Sequence, residues 1–101
     1  MRPDLLTYSN SDEAELICPA CGAEYLNHWK VEVFERSEDE KQGTHVTVSG
    51  SVVNVDQNLN GNPSARRHGV KIHFRCEGCS ATPVFGISQH KGLTLLKFLP
   101  E

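Results

Sequence analysis

The stretch "GVKIHFRCEGCS", residues 69–80, decides how this chain is read. Its first half alternates. Val70, Ile72 and Phe74 fall on one side of an extended strand, and Lys71, His73 and Arg75 on the other. Its second half carries a Cys-x-x-Cys pair, Cys76 and Cys79. A strand thus runs directly into a motif that turns two sulfurs toward one point. The apolar positions anchor the strand to a core. The three cations are read first as the wet face of a half-buried strand.

A second pair, Cys18 and Cys21 in "CPACG" (18–22), lies upstream, with 54 residues between Cys21 and Cys76. Two residues between cysteines allow a tight turn that aims both sulfurs at one ion. Gly22, directly after the second Cys, suits the unusual backbone angles of such a knuckle. Two knuckles supply four thiolates, the tetrahedral donor set that Zn²⁺ accepts for structural work, with no open position for substrate. The ligand set is therefore Cys18, Cys21, Cys76 and Cys79. Iron suits the same sulfurs, as in a rubredoxin-like electron carrier. A three-Cys, one-His set using His73 or His28 is a further arrangement, and two separate redox pairs are the blander one. A thioredoxin-like site needs a helix opening at its motif. Neither "CPACGAEYLNHW" nor "CEGCSATPVF" offers one.

Outward from the knuckles, the chain keeps reading as strands. "HWKVEVFER" alternates, placing Trp29, Val31 and Val33 opposite Lys30 and Glu32. "THVTVSG" and "SVVNVD" are β-branched and bounded by turn formers. "TPVFGISQ" and "LTLLKFL" flank "HKG", a hairpin turn with Gly92 at the positive-φ position. "RSEDEKQG" (36–43) is a charged hairpin tip, and "DQNLNGNPSARRHG" (56–69) a long loop with Asn-Gly and Asn-Pro turn signals. The expected fold class is all-β, mostly antiparallel, with five or six strands in one domain over residues 13–101. Residues 1–12 form a loose N-terminal segment, with a short helical turn conceivable around 11–16, capped by Ser11.

At this point the chain resembles the zinc-ribbon class, in which two knuckles each sit at the tip of a β-hairpin. The resemblance covers the knuckles and their flanking strands, about half the chain. It implies a structural zinc on the four cysteines. The long spacer departs from minimal ribbons and requires strands inserted between the knuckles. Ser80 replaces the knuckle glycine in the second motif. "GNPSARRHGVKIHFRCEGC" and "ISQHKG" also resemble stretches in small uncharacterised bacterial proteins, some on phages or plasmids, a likeness that implies no activity.

The chain of 101 residues has a net charge of −3, unevenly distributed. Residues 1–45 hold four Lys/Arg and ten Asp/Glu, giving −6; residues 46–101 hold six and three, giving +3. Four thiolates on one Zn²⁺ add −2, which weakens a simple case for nucleic acid. A local basic area of Arg66, Arg67, Lys71, His73 and Arg75 is nonetheless a candidate phosphate contact. In competing readings those cations offset the metal site, or pair with Glu32 and Glu35 on a neighbouring strand. The acidic run at 35–40 is a solvated tip or a dock for a basic partner. No interleaved aromatic set supports base stacking. The sequence has no nucleophile elbow, phosphate loop or His-Glu-x-x-His motif, so no enzyme is expected. The N-terminal stretch lacks a continuous apolar run and no segment is apolar enough to span a bilayer, so the expectation is a cytoplasmic chain with reduced thiols. Its partner is expected to be nucleic acid or protein, and a homodimer is compatible with the bipolar charge.

Overall fold

The computed structural model describes residues 6–8 and 14–100. Among these residues there is no helix, and the chain is all-β. Eight strands run in order: β1 (Leu6–Tyr8), β2 (Ala14–Leu16), β3 (Leu26–Glu35), β4 (Thr44–Ser49), β5 (Val52–Asp56), β6 (Gly69–Cys76), β7 (Val84–His90) and β8 (Leu93–Phe98). β1 and β2 pair with each other in a small antiparallel sheet. The other six form one antiparallel sheet in the order β5-β4-β3-β6-β7-β8. The expected helical turn around 11–16 falls partly outside the described residues; Ala14–Leu16 is strand.

Local sequence explains the connections. Gly50 (φ 60°) turns β4 into β5, and Lys91 (φ 51°) with Gly92 (φ 82°) turns β7 into β8. Two consecutive positive-φ residues give the turn whose twist matches the strands it joins. β3, β4 and β5 follow one another by hairpins, and β6 then returns to lie beside β3. That is a Greek-key arrangement, and it requires a long return path. Residues 57–68 provide it, held by side-chain-capped turns: Asn58 N–H donates to Asp56 Oδ1 (2.8 Å), Asn60 N–H to Asn58 Oδ1 (3.0 Å) and Ser64 N–H to Asn62 Oδ1 (3.0 Å).

The register sorts the side chains into two unlike faces. Val55, Val46, Val33, Val70, Ile87 and Leu96 stand opposite one another across all six strands. A second row repeats the pattern with Val53, Val48, Val31, Ile72, Phe85 and Phe98. Neither row contains a polar residue. Between them, on the other face, lie Asn54, Thr47, Glu32, Lys71, Gly86 and Lys97. Period-two alternation thus produces a sheet with one apolar and one polar face.

Trp29 departs from the simple alternation. The register of β3 against β6 slips between His28 and Lys30, so Trp29 occupies a bulge. Its ring meets His73 edge-on at 5.8 Å between centroids and lies under Arg75 and Lys30. The bulge therefore moves Trp29 away from Val31 and Val33, with which simple alternation grouped it, to the side of His73 and Arg75.

The most buried large side chain, Phe34, belongs to the polar face. It is fully covered, stacked on the His45 ring at 4.4 Å. Phe34 stands opposite Gly69 in the register, and a Cβ at Gly69 would approach the Pro63 ring to 2.8 Å. The return loop thus crosses this face at the Phe34 end, using the space that Gly69 leaves. Ser64, buried in the same loop, donates its hydroxyl to the Gln89 carbonyl (2.9 Å) and fixes the loop to β7. Phe34→Ala removes the anchor beneath the loop and is expected to lower unfolding free energy by about 3–5 kcal/mol. Urea denaturation of the metal-loaded protein measures it, and a loss below about 1 kcal/mol contradicts this account of the core.

Candidate metal centre

Four cysteines converge at one end of the sheet. Cys18 and Cys21 lie between β2 and β3; Cys76 ends β6 and Cys79 follows it. All four Sγ atoms lie within 4.8 Å of one another. Close contacts run between the knuckles: Cys18 Sγ to Cys79 Sγ at 3.9 Å, and Cys21 Sγ to Cys76 Sγ at 3.6 Å. An ion bound tetrahedrally by four thiolates at about 2.3 Å holds its sulfurs about 3.8 Å apart. The sulfurs are thus spaced as such an ion requires, and the donor set fits a metal.

Backbone geometry sets the sulfurs in place. In the first knuckle, Gly22 N–H donates to the Cys18 carbonyl (2.8 Å) and Cys18 N–H to the Ala23 carbonyl (2.9 Å). Gly22 has φ 79°, the conformation read from its place after Cys21. In the second, Cys76 N–H donates to the Ala81 carbonyl (3.2 Å) and Gly78 N–H to Cys76 Sγ (3.3 Å). Ser80 therefore does not prevent an N–H···S bond in the second knuckle. Glu77 N–H donates to the Tyr25 carbonyl (3.0 Å), tying one knuckle to the strand that leaves the other. A Cβ at Gly78 would come within 2.8 Å of Ala23 Cβ, so the two turns meet at a position where only glycine fits. The second knuckle caps the β6–β7 hairpin as in a ribbon; the first joins β2 to β3, which do not pair.

The thiols share their protons unequally. The Ala23 N–H lowers the Cys21 thiol, but the thiols of Cys76, Cys79 and Cys18, with burial, outweigh it and push Cys21 up to about 12. Burial raises Cys76, yet the Gly78 N–H, the thiols of Cys21 and Cys18 and the Cys79 N–H draw it down to about 7. Metal binding must therefore expel protons, which makes affinity rise with pH.

The cations placed together in the sequence reading are distributed among partners. Arg66 grips Asp39 through two bonds, Nε at 2.7 Å and Nη2 at 2.6 Å, with Glu38 at 3.9 Å. The return loop and the acidic hairpin tip are thereby joined. Arg67 is half-buried, and its Nε lies buried without a hydrogen-bond partner. His73 hydrogen-bonds Glu32 at 2.6 Å, and Lys71 adds its charge to the same carboxylate. Arg75 stacks over Trp29 at 4.8 Å. Of the two histidines weighed as ligands, His73 is thus turned to Glu32, and His28 is exposed; neither joins the four-sulfur group.

One feature the sequence did not suggest is a continuous polar chain, Asp56–His45–Glu32–His73, across four strands. His45 links Asp56 Oδ1 (2.9 Å) to Glu32 Oε1 (3.0 Å). Cross-strand register, which single-strand alternation does not give, aligns these groups. Burial opposes ionisation of Glu32, but hydrogen bonds from His73 and His45 and the charge of Lys71 outweigh it and hold its carboxyl below the usual carboxylate value.

No protein-family model, curated protein or solved structure matches the chain.

Two measurements follow from this geometry. A metal-loaded sample treated with a strong chelator should lose ordered structure around both knuckles, read by circular dichroism and by hydrogen exchange at the Cys ends of β3 and β6; unchanged spectra contradict it. Glu32, with its folded pKa depressed, adds stability above the unfolded carboxylate pKa and loses it as pH falls through the folded value. Glu32→Gln should therefore lower the urea midpoint near neutrality and narrow its gap from the parent at acid pH; a gap constant with pH contradicts the assignment.

Proposed function

We propose that this protein is a non-enzymatic module whose four cysteines hold a structural Zn²⁺ and whose sheet works through protein contacts. The single observation that carries the reading is the apolar face. Twelve apolar side chains stand in two rows across six strands, yet Val31, Val33, Val70 and Ile72 at the sheet centre are only half-buried, and Val48, Val53, Val55 and Leu96 are exposed. A sheet ordinarily buries such a face against another layer. Exposed apolar areas of this size mark sites of association.

Three observations bear on the choice of metal and partner. Four thiolates close the coordination sphere, so the ion supports the fold and leaves no place for a substrate. Arg66 is neutralised by Asp39, and His73 and Lys71 face Glu32, which removes most of the candidate phosphate contacts from free use. Of the five candidates, Arg67 and Arg75 have no carboxylate partner among the described residues; Arg67 is half-buried and Arg75 lies over Trp29, where a phosphate-tracking surface uses several free cations. No helix among the described residues is long and apolar enough to cross a membrane.

The test combines composition and recovery. Elemental analysis of the isolated protein should give one zinc per chain in a colourless sample. Material retained by the metal-loaded chain should be protein, insensitive to nuclease and lost with Val33→Lys. Retention that nuclease abolishes, or binding to an oligonucleotide that falls steeply with salt and disappears with Arg66→Glu and Arg67→Glu, overturns the reading in favour of nucleic acid. A red, iron-containing isolate overturns the zinc assignment.

A further inference from the structure

The apolar face is graded in size from one edge to the other. On the β5, β4 and β3 half, all six row positions are valine. On the β6, β7 and β8 half they are Val70, Ile72, Phe85, Ile87, Leu96 and Phe98. The narrow half ends in Val53 and Val55, exposed at 59% and 67%; the bulky half ends in Leu96, exposed at 49%. The gradient runs across the strands, and its midpoint falls between β3 and β6.

A surface graded in this way complements a copy of itself in one orientation. A two-fold axis lying in the interface, parallel to the strands and between β3 and β6, turns the second sheet over. It then sets each valine half against the bulky half of the other chain. Large meets small at five of the six kinds of facing pair, Val33 meeting Val70 at the sixth, and the two sheets keep an even separation of about 10 Å, the spacing of packed sheets. An axis across the strands would instead set Phe98 near Phe98 and valine near valine, wedging the sheets apart at one edge. The rows carry no charge, so nothing repels a second copy. The polar residues of this face, Glu35, Thr44, Gln89 and Thr94, pair with one another one step beyond the first row, at its edge.

The area is sufficient. Six strands spaced about 4.8 Å apart span about 29 Å, and five residues at about 3.3 Å span about 17 Å. That is about 500 Å² of flat face per chain, and about 1,000 Å² for a pair before the relief of the side chains is counted, the lower bound for a specific interface.

We propose that the partner of the apolar face is a second copy of this chain, packed face to face about a dyad parallel to the strands to form a two-layer sandwich. The proposal rests on the reading of the face as a protein-contact surface and names its occupant. The polar faces, with their bridged histidines and the return loops, then point outward. Val53 and Val55 of one chain lie against Leu96 and Phe98 of the other.

Sedimentation of the full metal-loaded chain tests it. The expected mass is twice the 11.2 kDa of one chain, falling to a single chain with Val31→Lys or Ile72→Lys and unchanged with Asn54→Lys on the polar face. Because a charged variant might fail to fold, a mixed sample of isotope-labelled and unlabelled wild-type chains supplies an independent reading. It should show intermolecular methyl contacts from Val55 to Leu96 and Phe98. A folded monomer, or a dimer whose intermolecular contacts lie at the β5 or β8 edge, overturns the proposal. A monomer that still retains another protein through Val33 overturns the second copy alone, whereas one that retains nothing overturns the protein-contact reading as well.

Discussion

The pairing of β3 with β6 is the contact on which the rest of the molecule depends. It joins segments more than thirty residues apart, so its formation closes the longest loop in the main sheet. The four-cysteine cluster stands at the end of this pair, where Leu26 faces Cys76. A metal held by these four sulfurs would fix the start of β3 to the end of β6 and define their register at one end. Everything else in the sheet is added by short hairpins on either side: β4 and β5 beyond β3, β7 and β8 beyond β6. Hairpins of that kind form locally once their first strand is placed. The central pair does not, and it is where an ion bound by the four cysteines would contribute most.

The return path from β5 to β6 makes the opposite end of the sheet. Its residues could have been a phosphate-binding loop, since Arg66, Arg67 and His68 are consecutive. Instead the loop lies over Phe34, hydrogen-bonds to β7 through Ser64 and meets the acidic hairpin tip through Arg66 and Asp39. Two charged segments that look like separate binding surfaces along the chain neutralise each other in space. The pair is exposed, so its contribution to stability is small; its effect is to remove both charges from the surface available to a partner.

The sheet divides chemically as cleanly as its register does. One face carries polar groups arranged in hydrogen-bonded chains, with Glu32 between two histidines. The other carries two rows of aliphatic and aromatic side chains, bordered by Glu35, Thr44, Gln89 and Thr94. A single layer of this kind buries few residues completely, and its largest buried side chain is Phe34, under the loop on the polar side. On the apolar face Phe85 is buried against Phe98, while the outer positions Val53, Val55 and Leu96 remain exposed.

The sequence by itself determined the all-β class, most strand positions, the Gly92 turn, the charged hairpin tip and the four cysteines. These are local properties: alternation every second residue, turn residues with positive φ, and a spacing of two between paired sulfurs. Only the tertiary structure decided strand order, the bulge that redirects Trp29, the pairing of Arg66 with Asp39 and the alignment of apolar positions into two unbroken rows. Each depends on which residue faces which across a strand pair. Single-strand periodicity tells that Val33 and Val46 share a sheet face with their own neighbours, but not that they stand opposite each other. The same limit explains the cations around Lys71. Their alternation was visible, while the carboxylate that engages His73 and Lys71 arrives from β3, about forty residues away along the chain and adjacent only after folding.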